Sequence, residues 1–309
     1  HRGWALVLVG GLGASGGYFA ASGFSAWLEP LFSWRILWLL NLPTGLMLLL
    51  LGRFIPESAK FLLARGRNVE AQAVMARFGT VSHQHGVEEE DVDFAPLHAV
   101  ESAPVGGIWS RGLAGTTVAL SLLALCWGFI NFGVLLWLPA ELVANGAKLA
   151  EASGLIAKSA LIAVPTVIAV AVLYSRWSTR LSLVAVTMVT IAGLVGVIAL
   201  RANAGLSPIG LLALLIIGTN AMLAIILPYA AESYPLSIRG RATGWIAACT
   251  KAGGLGAQAL GIAAMVPSLS LAAGAAIIPA LGGMILVLRY CRETKGVDLR
   301  QIDAALVTR

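Results

Sequence analysis

The sequence predicts an all-α polytopic membrane protein. Three observations carry this. Of 309 residues, 58% are hydrophobic and only 12% charged, about half the charge of a soluble domain. The apolar residues gather into stretches of roughly 20, the length a helix needs to cross about 30 Å of hydrocarbon. The 21 Lys and Arg residues fall overwhelmingly on one side of those stretches.

Eight stretches qualify as spans: Trp4–Trp27, Trp34–Ile55, Thr116–Leu138, Ala152–Tyr174, Leu181–Leu200, Pro208–Ala230, Ala242–Val266 and Leu269–Leu288. The first is crowded with glycines, and Gly13 and Gly17, spaced i and i+4, permit close helix contact. Between the second and third lies a polar loop, 56–111, in which Asn68 starts a short amphipathic helix ending at Gly79. The acidic run Glu88-Glu89-Glu90-Asp91 with Asp93 follows as a solvated stretch. The last two spans need a separate argument, because no charge occurs between Lys251 and Arg289. One helix there would be about 55 Å long at 1.5 Å per residue, so Val266-Pro267-Ser268 is expected to be a tight turn. Every span exceeds the 7–15-residue core of a signal peptide, and barrel strands never give such runs.

Orientation follows from the basic residues. With the N-terminus inside, sixteen lie on the cytoplasmic side and only Arg35, Lys148 and Arg201 outside, while Lys158 and Lys251 fall within spans. Both termini are expected in the cytoplasm. The net charge of +6 then reports topology, not nucleic-acid binding. High hydrophobicity excludes disorder, and Cys126, Cys249 and Cys291 lack the spacing of a disulfide framework.

The chain carries an internal echo. Arg2-Gly3 and Gly16-Gly17 recur as Arg239-Gly240 and Gly253-Gly254, and Arg53-Phe54-Ile55-Pro56-Glu57-Ser58 parallels Arg289-Tyr290-Cys291-Arg292-Glu293-Thr294. Both copies start on the same side, as in transporters built from two parallel halves. By that symmetry four spans are expected to be absent before Arg2, leaving eight of twelve. A complete eight-span protein with a coincidental echo is the alternative.

At these residues the sequence resembles the major facilitator superfamily. Trp34-Arg35 through Asn41-Leu42-Pro43-Thr44-Gly45 to Pro56-Glu57-Ser58, Ala231-Glu232-Ser233-Tyr234-Pro235 with Arg239-Gly240, and Arg292-Glu293-Thr294-Lys295-Gly296 are similar to the branch of sugar porters and metabolite and organic-acid proton symporters. The glutamine pair of sugar porters is missing before Gly128-Phe129-Ile130-Asn131, and Ser175 to Arg180 keeps only the arginines of the usual D-R-x-G-R-R loop. The resemblance implies residues 1–55 as the last two helices of an N-terminal half, 56–111 as the central cytoplasmic loop, 112–290 as a six-helix C-terminal half and 291–309 as a cytoplasmic tail. It implies a monomeric, multi-pass protein of the plasma membrane, a bacterial inner membrane included. Its partners would be a small-molecule solute, protons and the lipid bilayer, with no nucleic acid and no cofactor. It implies alternating access, with proton symport as the default. A sugar porter or a drug or metabolite efflux antiporter is the alternative within the family, and a receptor or scaffold outside it.

Candidate substrate-binding residues are Trp127, Asn131, Asn220, Lys251 and Gln258. Lys251 is a cation well inside its span, costly unless paired or hydrated. It reads either as a charge that attracts a carboxylate, with Gln258 on the same face, or as a side chain snorkelling to the interface. Lys158, near the other end of its span, is read as snorkelling. The resemblance places Asn131 and Asn220 on cavity-lining helices, with Trp127 beside them; the plainer alternative is helix-to-helix hydrogen bonding. It also implies gating salt bridges at the cytoplasmic helix ends from Arg2, Glu57, Glu232 and Arg239. The absent glutamine pair and Lys251 together point to a small organic anion, an aromatic one included. An enzyme is not expected. Gly13-Ala14-Ser15-Gly16-Gly17 fits the pattern of a nucleophilic serine, but His1, His83, His85 and His98 all lie outside the spans, so no base reaches it. His83 and His85 are too few to define a metal site.

Overall fold

The computed structural model describes residues 2–33, 35–57, 59, 62, 66–77, 107–144, 149–163, 165–202, 208–263 and 265–295. Among them all regular structure is helical. That is the outcome lipid demands, because a spanning backbone must satisfy its own N–H and C=O groups. The chain divides into two compact units, His1–Leu31 with Val105–Arg309, and Phe32–Pro104.

The smaller unit contains α2 (Arg35–Leu39), α3 (Asn41–Gly52) and α4 (Asn68–Arg77). Its apolar run is interrupted at Leu40 because Pro43 has no N–H to offer the preceding turn. Around this break Asn41 and Thr44 donate side-chain hydrogen bonds four residues back, to the carbonyls of Leu37 and Leu40, at 3.2 and 3.0 Å. The short helix expected from Asn68 is α4; its expected end at Gly79, the acidic run and His83 with His85 lie outside the described residues. An exposed ion pair, Arg67 with Glu70 at 2.6 Å, straps its first turn.

The larger unit contains α1 (Arg2–Phe32, counted to Leu31), α5 (Ala114–Phe129), a π-helical turn (Ile130–Val134), α6 (Leu135–Ala144), α7 (Leu149–Ala163), α8 (Thr166–Arg176), α9 (Thr179–Ala202), α10 (Pro208–Ser233), α11 (Leu236–Ile262) and α12 (Leu269–Tyr290). Among the described residues of the chain, six helical stretches are long and apolar enough to cross a membrane: Val7–Leu28, Arg35–Gly52, Ala114–Glu141, Thr179–Ala199, Ile209–Ser233 and Leu269–Tyr290. The stretch expected as Ala152–Tyr174 divides into α7 and α8 at Pro165, which cannot continue the helical ladder. The expected turn before the last span is present: α11 ends at Ile262, and Ser268 caps α12 by accepting from the Leu271 N–H at 3.4 Å.

Glycine decides where the helices of this unit meet. A Cβ on Gly193 would lie 2.6 Å from the Leu215 backbone, and one on Gly218 2.6 Å from the Thr190 N–H, so α9 and α10 pack main chain to main chain. The seam between α5 and α11 is tighter still. A Cβ on Gly128 would sit 1.9 Å from the Thr250 carbonyl oxygen, and one on Gly253 2.0 Å from that of Leu125. In α1 the close approach falls at Gly11, against Val167, whereas a Cβ on Gly13 or Gly17 would meet no other element within 4 Å among the described residues. Two buried clusters fill the bundle, one around Trp127, Tyr174, Tyr229 and Tyr234, the other around Ile130, Leu194, Leu215 and Ala276.

Candidate functional site

The site forms where α5 stops being a regular helix. In the π-helical turn Ile130–Val134 each residue advances the chain less far around the axis, so a side chain meets its neighbour at i+5 instead of i+4. Trp127, in the last α-helical turn before it, and Phe132, within it, meet edge to face, 6.0 Å apart at 89°. In an unbroken α-helix the two would point roughly 140° apart. The indole N–H of Trp127 reaches across to the Thr219 carbonyl on α10 at 2.9 Å, beside Asn220.

From α11, Lys251 places its ammonium over the Phe132 ring, 5.3 Å from the centroid. Lys251 is an exposed residue near the middle of a 27-residue helix, and no carboxylate pairs with it among the described residues. Seven residues on, Gln258 donates its side-chain N–H to the Phe132 carbonyl. Three of the five expected binding residues, Trp127, Lys251 and Gln258, therefore converge on Phe132, and a fourth, Asn220, adjoins the residue that Trp127 contacts. Asn131, within the π turn, and Asn220 are both buried, at 8% and 2% exposure. Phe132 itself was not among the expected residues. Its signal in the sequence is faint: an aromatic between Asn131 and Gly133, with Pro139 seven residues beyond Phe132.

The expected gating residues sit at helix ends. Arg2 opens α1, and Glu57, exposed, follows α3. The Glu232 carboxylate, at the end of α10, accepts from the Tyr174 hydroxyl at 2.6 Å and from Thr294 at 2.8 Å. Arg239, in the first turn of α11, donates to the Tyr234 carbonyl at 3.3 Å. Among the described residues neither Glu232 nor Arg239 belongs to an ion pair.

Beyond α12, Glu293 docks on the connection between α8 and α9. It accepts from the Ser178 hydroxyl, from the Thr179 N–H at 2.8 Å and from the Thr179 hydroxyl at 2.5 Å. Burial works against its ionisation, but these bonds outweigh that and hold its carboxyl at about 2. Among the described residues no group of three His, Cys, Asp or Glu side chains offers a metal site.

Comparison with known proteins agrees with this architecture. The family described as "Sugar (and other) transporter" matches residues 1–306. The niacin transporter NiaP of Acinetobacter baylyi (strain ATCC 33305 / BD413 / ADP1) is 25% identical over 304 residues, which cover 93% of this chain and 65% of that protein. The 4-hydroxybenzoate transporter PcaK of the same organism is 32% identical over 144 residues, covering 43% of this chain and 30% of that protein. The chain thus spans less than two thirds of either relative. Among solved structures, the major facilitator proton:xylose symporter XylE bound to 6-bromo-6-deoxy-D-glucose superposes with a TM-score of 0.70 at 16% identity, over 97% of this chain and 70% of that one. A double tryptophan mutant of XylE gives 0.67 at 17% identity, over 94% and 63%. A helical bundle with the fold of a major facilitator protein, matched to one transporter family almost end to end, leaves one assignment: the chain belongs to the sugar (and other) transporter family.

Proposed function

We propose that this chain forms part of a secondary transporter that moves a small organic acid, an aromatic monocarboxylate in particular, across the membrane by alternating access. The observation that carries the proposal is Lys251, a cation midway along a helix, over the ring of Phe132, which Trp127 and Gln258 also contact. With α11 read as the span expected from the sequence at Ala242–Val266, a cation at that place is costly and marks a functional site. The two relatives are named for niacin and 4-hydroxybenzoate, and each of those solutes joins one carboxylate to one six-membered aromatic ring. An ammonium for the carboxylate and aromatic side chains for the ring supply the matching chemistry, with Asn131 and Asn220 as further hydrogen-bonding groups.

In this reading the two halves of the transporter rock about a midplane site. Residues 112–290 supply one half and residues 1–55 helices of the other, joined by the 56–111 loop, with 291–309 as a cytoplasmic tail. Both termini face the cytoplasm of a bacterial inner membrane, and the protein works as a monomer. Arg2, Glu57, Glu232 and Arg239 belong to the inner gate. Transport is coupled to protons, in line with the neighbour titled a proton:xylose symporter.

The test is uptake by the full-length gene product in proteoliposomes. An inward proton gradient should drive accumulation of benzoate or nicotinate, and a protonophore should abolish it. Lys251→Ala should weaken carboxylate uptake roughly tenfold or more, the scale of losing a charge-assisted hydrogen bond, while leaving a neutral amide analogue nearly unaffected. Equal losses for both solutes, or none, would overturn the reading.

A further inference from the structure

Phe132 is the one residue on which the contacts of the site converge, although its side chain has no polar atom. Its ring carries the Lys251 ammonium on one side and meets Trp127 edge-on at another. The ring also leans on α11 where that helix has no side chain: a Cβ on Gly254, three residues after Lys251, would lie 2.6 Å from Phe132 Cδ2. Its carbonyl belongs to the π-helical turn, whose altered hydrogen-bond spacing leaves room for a donor from outside the helix, and the Gln258 amide occupies that place. Ring and carbonyl are therefore both pinned by α11.

Lysine is long and flexible, and one midway along a helix read as a span tends to stretch toward the nearer polar surface. Something must hold Nζ in place if it is to meet a substrate. A carboxylate could do so, but it would neutralise the charge and occupy the N–H donors. An aromatic face attracts the cation through its quadrupole and consumes neither the charge nor the three donors of the ammonium. A phenyl ring is thus the partner that orients a cation while leaving it available to an incoming anion.

We propose that Phe132 is a positioning residue for substrate recognition: its ring holds the Lys251 ammonium, and the Gln258 bond to its carbonyl holds the ring, so that the charge is aimed at the carboxylate of the solute. This rests on the carboxylate reading above.

The test uses the full-length protein in lipid nanodiscs, with benzoate and benzamide as separately titrated probes and their affinity ratio as the readout. Phe132→Leu should lower the benzoate preference roughly 3- to 30-fold, the range a cation–π contact spans. Phe132→Tyr should retain it. Replacing Phe132 with mono-, di- and trifluorinated phenylalanine, which keep the ring's shape and drain its face of charge, should lower the ratio stepwise. In a Lys251→Met background, Phe132→Leu should leave the ratio unchanged. A ratio indifferent to both leucine and fluorine, in a protein where Lys251→Met collapses it, would overturn the proposal and leave the carboxylate reading standing. A wild-type protein that binds both probes equally, or neither, would overturn the carboxylate reading itself and the proposal with it.

Discussion

Replacing Gly128 with alanine adds one methyl group at the tightest point of the bundle. The new Cβ would lie 1.9 Å from the Thr250 carbonyl oxygen and 2.9 Å from the Gly254 nitrogen. A carbon rests against a carbonyl oxygen at about 3.3–3.6 Å, so α5 and α11 must part by roughly 1.5 Å. No rotamer change relieves this, because every atom struck is main chain. Separation on that scale would also strain the bond from Gln258 to the Phe132 carbonyl. Overpacking of this kind costs about 1–3 kcal/mol, occasionally more, which for a chain of this size lowers the melting midpoint by roughly 2–10 °C. Gly256, on the same helix as Thr250, has nothing within 4 Å of its Cβ position, so Gly256→Ala should leave the midpoint unchanged or slightly raise it through better helix propensity. Gly253→Ala meets the Leu125 oxygen across the same seam. One displacement relieves both clashes, so the double variant should cost less than the sum of the two singles. The assay is thermal unfolding of the detergent-solubilised protein. A Gly128→Ala protein that melts with the wild type, or a Gly256→Ala protein that falls as far, would refute the reasoning.

Three further outcomes are expected. Trp127→Phe removes the indole bond to the Thr219 carbonyl, which keeps its place in the helical ladder of α10; it should lower stability by about 0.5–1.5 kcal/mol, read in the same melting assay. Glu293 has a carboxyl depressed from 4.5 to about 2. Its contribution is therefore complete above about pH 4.5 and is lost as pH falls toward 2. Glu293→Gln should cost stability at pH 7, about 1 kcal/mol or less because the residue is exposed, and the difference from wild type should vanish in acid. Cys291 is 3% exposed and burial pushes its thiol up to about 11. Alkylation of Cys291 by maleimide at pH 7, followed by mass spectrometry, should be slow in the folded protein and fast after denaturation in SDS; rapid labelling of the folded protein would contradict the packing around it.

The fold was legible because its main cause is written in composition and periodicity. Runs such as Leu181–Leu200 have no alternative in lipid but helix. The turn at Val266-Pro267-Ser268 followed from length alone, since no bilayer accommodates a helix of about 55 Å. Interruptions inside runs were harder to read. Pro165 divides a stretch that hydropathy treats as continuous, while Pro139, Pro228 and Pro279 lie within helices that continue through them. Composition does not distinguish these cases, because neighbouring helices decide whether the freed carbonyl finds a partner. The site was half legible. Lys251 and Gln258 stood out as polar residues on an apolar helix, seven positions apart. Phe132 did not, because the face it presents depends on the π-helical turn, and a 3.6-residue period sends it elsewhere.

The end of the bundle with Glu232 and Glu293 shows how a motif can lose letters and keep its joint. In the sequence, Ser175 to Arg180 retains only the arginines of a longer basic pattern, and Arg292 to Gly296 is a tail element in which arginine replaces proline. More than a hundred residues apart, these two fragments dock on each other. Ser178 and Thr179 serve Glu293, the Thr179 hydroxyl also meets Thr294 at 2.7 Å, and Thr294 passes the chain of bonds to Glu232 and Tyr174. Lys295 closes the contact on the carbonyls of Arg176 and Trp177. Each carboxylate is satisfied by hydroxyls and, at Glu293, by backbone N–H groups, so the joint does not require a guanidinium opposite it. Bonds of this kind are short-ranged and directional, whereas exposed ion pairs are loose and screened by salt. The joint should therefore tolerate high salt and fail on loss of a hydroxyl. In melting experiments, Thr179→Val should be more damaging than a rise to 1 M NaCl, since it removes one bond to Glu293 and two with Thr294, to its hydroxyl and from its N–H. A midpoint that drops more with salt than with the lost hydroxyl would mean that charge, and not geometry, holds this end of the molecule.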